Sequence, residues 1–483
     1  MNEQVWALMP LLITTATVVV SMFVIAVRRN HRLTGGVMIV GMNLALLSIV
    51  PGWSASQSHA IAVTDLMLVD GTAQFAMALM LITTLGVLTL CPAYFSGYRG
   101  HREELYLLIG VGTLGALTLA CANHAATLLL GLELLSLPMV GAVAYAIDRP
   151  RSIEGGVKYL ILSAGASATL LFGLALIYAQ SGALDVGSLA GAIAGAGLGS
   201  PLVTAGAAML LAGLAFKLSF VPFHQWTPDV YEAAPLPITA YLSTVVKLGA
   251  FIIALRLLHA GVGSASPLIV TAIVGLALAS MLVGSVLALR QTNLKRLLAY
   301  SSIANFGYLA VVLALPGLEA VRAAGVYLVA YLVTSLGVFG VMTLVSSPMG
   351  RRDHEDIDEY RSLFWHRPYL AAVLIAMMLS LAGIPLTAGF VGKLAVIGVG
   401  VQAAQWWLVG GVVVASAIGI YYYLRVINAL LTSVEPGSER VAVTLPWVYK
   451  ASGAMLLLAT IVTVWLGVYP QPLFVLGRYL AFP

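Results

Sequence analysis

LAGLAFKLSFVPFHQW, residues 211–226, sets Lys217 and Pro222 inside what otherwise reads as a membrane-spanning helix. A cation in hydrocarbon costs roughly 3 kcal/mol even on lenient insertion scales, and proline deletes a backbone hydrogen bond that lipid cannot replace. A chain tolerates both only where protein or water covers the freed backbone, so the stretch reads as an interrupted helix beside a hydrated cavity.

The surrounding sequence supports a membrane setting. Of 483 residues, 60% are hydrophobic and only 9% charged, where a soluble domain carries about 25% charge. Mean hydropathy is +0.99. At roughly 20 residues per crossing, the length holds on the order of 14 to 16 helices and leaves no stretch for a separate soluble domain. The predicted fold is therefore an all-α polytopic membrane protein, a single membrane domain over 1–483, with the lipid bilayer as its surroundings. The net charge is +5, but the basic residues are scattered between apolar runs, which marks topology and not a nucleic-acid surface. Cys91 and Cys121 lie in separate apolar segments without a C-x-x-C or His-rich partner. Disulfide, zinc and iron–sulfur frameworks are thus not expected, nor any metal site. MNEQVW lacks the basic region of a signal peptide, so the run from Val5 is read as a retained first helix.

Apolar runs fall at 5–27, 34–51, 72–95, 104–121, 124–146, 155–180, 201–223, 237–258, 267–289, 294–315, 320–346, 369–402, 405–430 and 446–469. That makes fourteen, and walking the loops puts RRNHR (28–32), YRGHR (98–102), DRPRS (148–152), RQTNLKR (290–296) and 351–367 on one side. Of 24 Lys and Arg, 18 sit there and only Arg256, Arg322 and Arg478 lie opposite; Lys217, Lys247 and Lys393 are within runs. The basic side is cytoplasmic by the positive-inside rule, which places both termini outside. Residues 183–199 and 353–366 read as interfacial segments.

Glu133 and Lys247 each stand ten residues into their runs, near the bilayer centre. Lys217 and Lys393 share their runs with helix breakers, Gly213 and Pro222 in one, Gly383 and Pro385 in the other. The run 369–402 would be about 50 Å long as one helix and is expected to break near LAGIPLTAGF (381–390). Snorkelling suits Arg256 and Lys158 near run ends but not these four. One carboxylate also cannot neutralise three lysines, so a proton relay through Glu133, Lys217, Lys247 and Lys393 is the reading preferred over fixed ion pairs. Sodium transport fits less well, since hard cations want clustered oxygens. The broken helices are the seventh and twelfth; five spans apart, they enter from opposite sides, as in an inverted repeat. That repeat is loose, because Lys217 lies five residues before its proline and Lys393 eight after.

Smaller signals surround this set. His224 titrates near neutral pH and is a candidate proton intake, while the neighbouring Asp229 and Glu232 read equally well as interfacial. Glu154 and Lys158, four apart, form a helical ion pair at the membrane edge, read first as stability or topology and second, with His224, Ser301, Ser302 and Asn305, as part of an accessory proton path. Lys295 and Arg296 read as positive-inside anchors. Gly110-Val-Gly112-Thr-Leu-Gly115 matches G-x-G-x-x-G but lies in an apolar helix without a preceding strand, so close helix packing explains it and no dinucleotide site is expected.

GLELLSLP around Glu133, FKLSFVPFHQWTPDVYEAAP (216–235), NLKRLLAYSSIANFGYL (293–309) and LSLAGIPLTAGFVGK (379–393) resemble the antiporter-like proton-pumping subunits of bacterial respiratory complex I, and the likeness runs along essentially the whole chain. The resemblance implies fourteen helices: N-terminal helices 1–3 (1–95), two inverted five-helix repeats (104–258 and 267–430), and helix 14 with its tail (446–483). It assigns the relay to Glu133, Lys217, Lys247 and Lys393, with Ser301, Ser302 and Asn305 beside it. Lys at 393, where one branch of the family carries Glu, and an end at Pro483 without a long lateral helix fit one branch best. Many relatives carry His in S-S-x-x-H-x-G where this chain has Asn305, which orients water but carries no proton. The resemblance further implies a bacterial inner membrane, other membrane and peripheral subunits as partners, and membership of a proton-translocating NADH:quinone oxidoreductase. FMN, iron–sulfur clusters and quinone then belong to partner subunits, with no cofactor and no redox chemistry in this chain. An Mrp-type cation/proton antiporter subunit is the alternative.

Overall fold

The computed structural model describes residues 3–58, 60–98, 100–196, 200–258, 267–350, 352–433, 447–478 and 480. Its helices are α1 (Glu3–Val27), α2 (His31–Leu47), α3 (Ile49–Ser58), α4 (Gly71–Tyr94), α5 (Glu104–Ala120), α6 (Ala125–Val143), α7 (Pro150–Ser181), α8 (Val186–Ala196), α9 (Pro201–Leu218), α10 (Trp226–Ala233), α11 (Leu236–Tyr241), α12 (Lys247–Leu257), α13 (Pro267–Leu289), α14 (Leu294–Ala314), α15 (Leu318–Val345), α16 (Leu363–His366), α17 (Pro368–Ala382), α18 (Ala388–Gln402), α19 (Trp406–Leu431), α20 (Trp447–Val468) and α21 (Gln471–Arg478). Twelve segments are long and apolar enough to cross a membrane, and α5, α17 and α18 are shorter apolar helices. A small antiparallel hairpin, β1 (Ile61–Thr64) with β2 (Met67–Val69), departs from the all-α expectation. Its strands are too short to leave a period in the sequence.

Glycines set the closest helix contacts. A Cβ on Gly115 would stand 2.4 Å from the backbone of Leu135, so the G-x-G-x-x-G stretch is indeed a packing seam between α5 and α6. Gly213 proves to be another such seam and not a breaker: it stays helical within α9, and a Cβ there would meet Leu170 of α7 at 2.6 Å. Gly284 and Gly307 join α13 to α14 in the same way.

The interior is built by α11–α12, α14 and α15, whose most apolar windows are 100%, 94% and 89% buried, against 28% for α20. The first break follows Ser219, which takes a left-handed backbone (φ 63°) just after Leu218, and Pro222 lies in the loop behind it. The second follows Gly383 (φ 80°), with Pro385 inside the gap before α18. A third irregularity had no sequence signal: residues 242–246 form a π-helical turn directly before Lys247.

Candidate functional site

Three lysines converge on the interior. Lys217, Lys247 and Lys393 are 3%, 0% and 7% exposed, and among the described residues none is ion-paired with a carboxylate. Lys217, in the last turn of α9, donates to the hydroxyls of Ser136 on α6 and Ser163 on α7, both at 2.8 Å. Lys247, at the start of α12, donates to Ser302 on α14 at 2.8 Å and lies 4.8 Å from the Phe306 ring centre. Lys393, on α18, donates at 2.9 Å to the carbonyls of both Leu381 and Ala382, and lies 5.4 Å from the Tyr308 ring centre.

The breaks are what make these positions possible. Ending a helix leaves its last carbonyls without partners, and lipid offers none. At the second break Lys393 itself supplies them, capping the end of α17. Gly383 is needed there twice, for its left-handed backbone and because a Cβ would meet the Lys393 side chain at 2.8 Å. At the first break the Trp226 indole donates to the Phe216 carbonyl at 3.0 Å, which leaves Lys217 free to turn to the two serines.

Hydroxyls extend the row. Ser302 shares a 2.7 Å hydrogen bond with Tyr331 of α15. Tyr331 lines a cavity of about 10 Å³ together with Asn305, Thr334, Ser380 and Lys393; that is space for the centre of roughly one water. Asn305 is held from both sides: its amide donates to the Ser301 carbonyl at 2.8 Å, and its oxygen accepts from Tyr327 at 2.6 Å. Ser301 in turn bonds Tyr423 of α19. A chain of exchangeable groups therefore runs from Lys247 through Ser302 and Tyr331 to a water-sized space against Lys393.

Glu133 is placed differently. It is half-buried on α6, on the same face as the exposed Leu130 and Leu137, three and four residues away. Among the described residues no hydrogen bond or ion pair joins it to Lys217, and the two interact only electrostatically across a gap. Among the accessory residues, Ser301, Ser302 and Asn305 join the row. His224 is half-buried against Tyr300, with ring centres 6.5 Å apart, and among the described residues no hydrogen bond links it to a buried lysine. Glu154 and Lys158 do pair, at 2.8 Å, and Lys158 also reaches Asp229 at 3.2 Å, all beside a polar surface cleft away from the row.

Other sequence expectations need correction. Lys295 is no surface anchor: it is fully buried, pairs with Asp353 at 2.7 Å and donates to the Glu232 and Ala234 carbonyls. Asp353 is also buried and bonds Arg149 and Tyr94, so the start of 353–366 belongs to the interior and not to an interfacial segment. Arg296 joins Asp229 and Glu232, each at 2.8 Å. Arg256 does not snorkel; it is buried against Asp70 at 2.7 Å and the Ala120 carbonyl. Sequence reasoning missed Ser136, Ser163, Tyr327, Tyr331 and Ser380. The available signal was hydroxyl side chains repeating inside apolar runs, Ser136 standing three residues after Glu133. His101, Glu103 and Glu104 bring ligand-type atoms within 4.8 Å of one another, but Arg29 already donates to His101 and Glu104.

A mostly helical membrane bundle with two broken helices and three interior lysines that, among the described residues, hydrogen-bond to neutral groups fits an ion-translocating class of protein. The chain belongs to the family described as NADH:quinone oxidoreductase/Mrp antiporter, TM, whose pattern matches residues 122–419. It is 50% identical over 472 residues to NADH-quinone oxidoreductase subunit N of Ectopseudomonas mendocina (strain ymp), covering 97% of this chain and 94% of that one. Among solved structures it is similar to a chain of respiratory complex I from Thermus thermophilus with bound aureothin (31% identity, TM-score 0.81, 96% of this chain and 98% of that one). A chain of the Mrp complex from Dietzia sp. DQ12-45-1b shares the fold at 20% identity and TM-score 0.84, over 99% of this chain and 97% of that one.

Proposed function

We propose that this chain is a proton-translocating membrane subunit of an NADH-quinone oxidoreductase, taking the place that subunit N holds in its Ectopseudomonas relative. Electron transfer from NADH to quinone takes place in partner subunits that hold the FMN, the iron–sulfur clusters and the quinone. Glu133, Lys217, Lys247 and Lys393 pass protons through hydroxyls and water. The observation that carries this reading is that each of the three lysines hydrogen-bonds to neutral groups and, among the described residues, none is ion-paired, since an ammonium not locked to a carboxylate is free to give up its proton to a neighbour. The half-buried Glu133 on an apolar outer face supports a protein neighbour there, because a carboxylate at membrane depth does not face acyl chains.

The same reading counts α9 with α10, and α17 with α18, as interrupted crossings, which gives fourteen arranged as two inverted units at 104–258 and 267–430. It places the chain in a bacterial inner membrane with both termini on the periplasmic side. In the assembled complex in proteoliposomes, Lys217→Ala or Glu133→Ala is expected to lower NADH-driven proton uptake about tenfold or more, since removing a positioned proton carrier costs roughly 10²–10⁴-fold. Uptake at the wild-type level would reduce the chain to a scaffold. Cation-dependent exchange by an assembly lacking flavin and iron–sulfur subunits would favour the Mrp-type alternative.

A further inference from the structure

The glycine seams draw α9 onto α7 and α13 onto α14, and an apolar cleft of about 270 Å³ opens between the two pairs. Val203, Ala207, Ala208 and Leu211 of α9 face Ala272 and Leu276 of α13 across it. A narrower space of about 40 Å³ adjoins it, sharing the Ala207, Leu211, Ile269 and Leu276 walls, and reaches Leu214, Leu218 and Leu257 behind the turn that carries Lys217. The hydroxyl in the wall, Thr204, donates to the Ser200 carbonyl at 3.0 Å, so the lining presents hydrocarbon.

Dimensions and medium name the occupant. Both walls belong to helices long and apolar enough to span a membrane, which sets the mouth at the depth of the hydrocarbon. From Val203 to Leu218 the groove follows fifteen residues, about 22 Å at the helical rise, enough for the ~15 Å of chain that one leaflet supplies. A partner helix is about 10 Å across and cannot enter the narrower space, whereas a flexible chain of methylenes can. We propose that a phospholipid acyl chain fills this cleft and packs against the last turns of the broken helix α9. An empty cleft would forfeit dispersion contacts along that helix, so the lipid serves as packing behind Lys217. The proposal goes beyond the proton-transfer reading and depends only on the membrane setting, so the two stand or fall separately.

The test uses the intact complex in nanodiscs of phosphatidylethanolamine and phosphatidylglycerol, with a photoactivatable diazirine on the acyl chain and mass-spectrometric mapping of the adducts. Labelling at 203–214 and 268–276 several-fold above that at Phe172, on the exposed face of α7, is the expected result. The cleft-filling pair Ala208→Phe and Ala272→Phe should bring it down to the Phe172 level. Wild-type labelling no stronger than at Phe172 would overturn the proposal without recourse to the variants. So would capture of another subunit by a photocrosslinker placed at Ala208, or displacement of the label by a long-tailed quinone.

Discussion

Lys295 and Lys247 are both fully buried, yet the first ends on the Asp353 carboxylate and the second on the Ser302 hydroxyl. Around Lys295 charges are matched: Asp353 serves Lys295 and Arg149, Glu355 approaches Lys295 at 3.5 Å, and Glu232 and Asp229 serve Arg296. Around Lys247 there are hydroxyls and aromatic rings. A buried ammonium held by a carboxylate is fixed as a charge, while one held by neutral groups keeps or loses its proton according to its neighbours. The first arrangement ties α4, α7, α10 and α14 to the loop after α15; the second is suited to transfer.

Removing the counter-charge should have the largest effect. Asp353→Asn leaves the buried Lys295 and the partly buried Arg149 facing a neutral amide and is expected to cost roughly 3–5 kcal/mol, read as a lowered melting temperature and reduced yield of assembled complex. Adding Lys295→Met should restore part of that loss; an unchanged single variant would mean that Glu355 suffices. Burial alone would raise the Asp353 carboxyl, but Lys295 and Arg149 hold it below the usual carboxylate range. Its stabilisation is therefore complete above about pH 3.9, the unfolded value, and disappears as the pH falls through the lower folded value. Acid melting curves of Asp353→Asn should lack this component.

A smaller effect is expected at Ser302. Ser302→Ala removes the acceptor of the Lys247 ammonium, a bond to a charged group worth about 1.5–3 kcal/mol, and cuts the link to Tyr331. Proton uptake should fall about tenfold or more and recover with Ser302→Thr, while the melting temperature moves less than in Asp353→Asn. Equal uptake in Ser302→Ala would remove the hydroxyl chain from the path. The smallest effect belongs to Arg296→Gln. Its guanidinium is 27% exposed, so loss of its pairs should cost at most about 1 kcal/mol and leave uptake near wild type.

The lysine row was legible in the sequence because each charge interrupts a long apolar run, and both breaks announced themselves through proline or glycine. Gly213 shows the limit of that signal, since a glycine that packs helices and one that ends them look alike in a single chain. The Lys295–Asp353 pair was not legible: its members lie 58 residues apart, and a lysine beside an arginine at a helix start fits the topology rule without any partner. The π-helical turn before Lys247 leaves no mark in Leu242–Val246, an ordinary apolar stretch. Ser136, Ser163 and Tyr331 became recognisable only when the helices carrying them were brought against the lysines.

Lys247 either exchanges its proton or merely carries charge, and Lys247→Arg separates the two. Arginine keeps the charge and can donate to Ser302, but it stays protonated at any working pH. The decisive measurement is the number of protons taken up per electron by the reconstituted complex, with assembly and NADH:quinone turnover followed in parallel. A lowered ratio in an intact, turning-over complex is the expected result; an unchanged ratio would contradict proton transfer through Lys247.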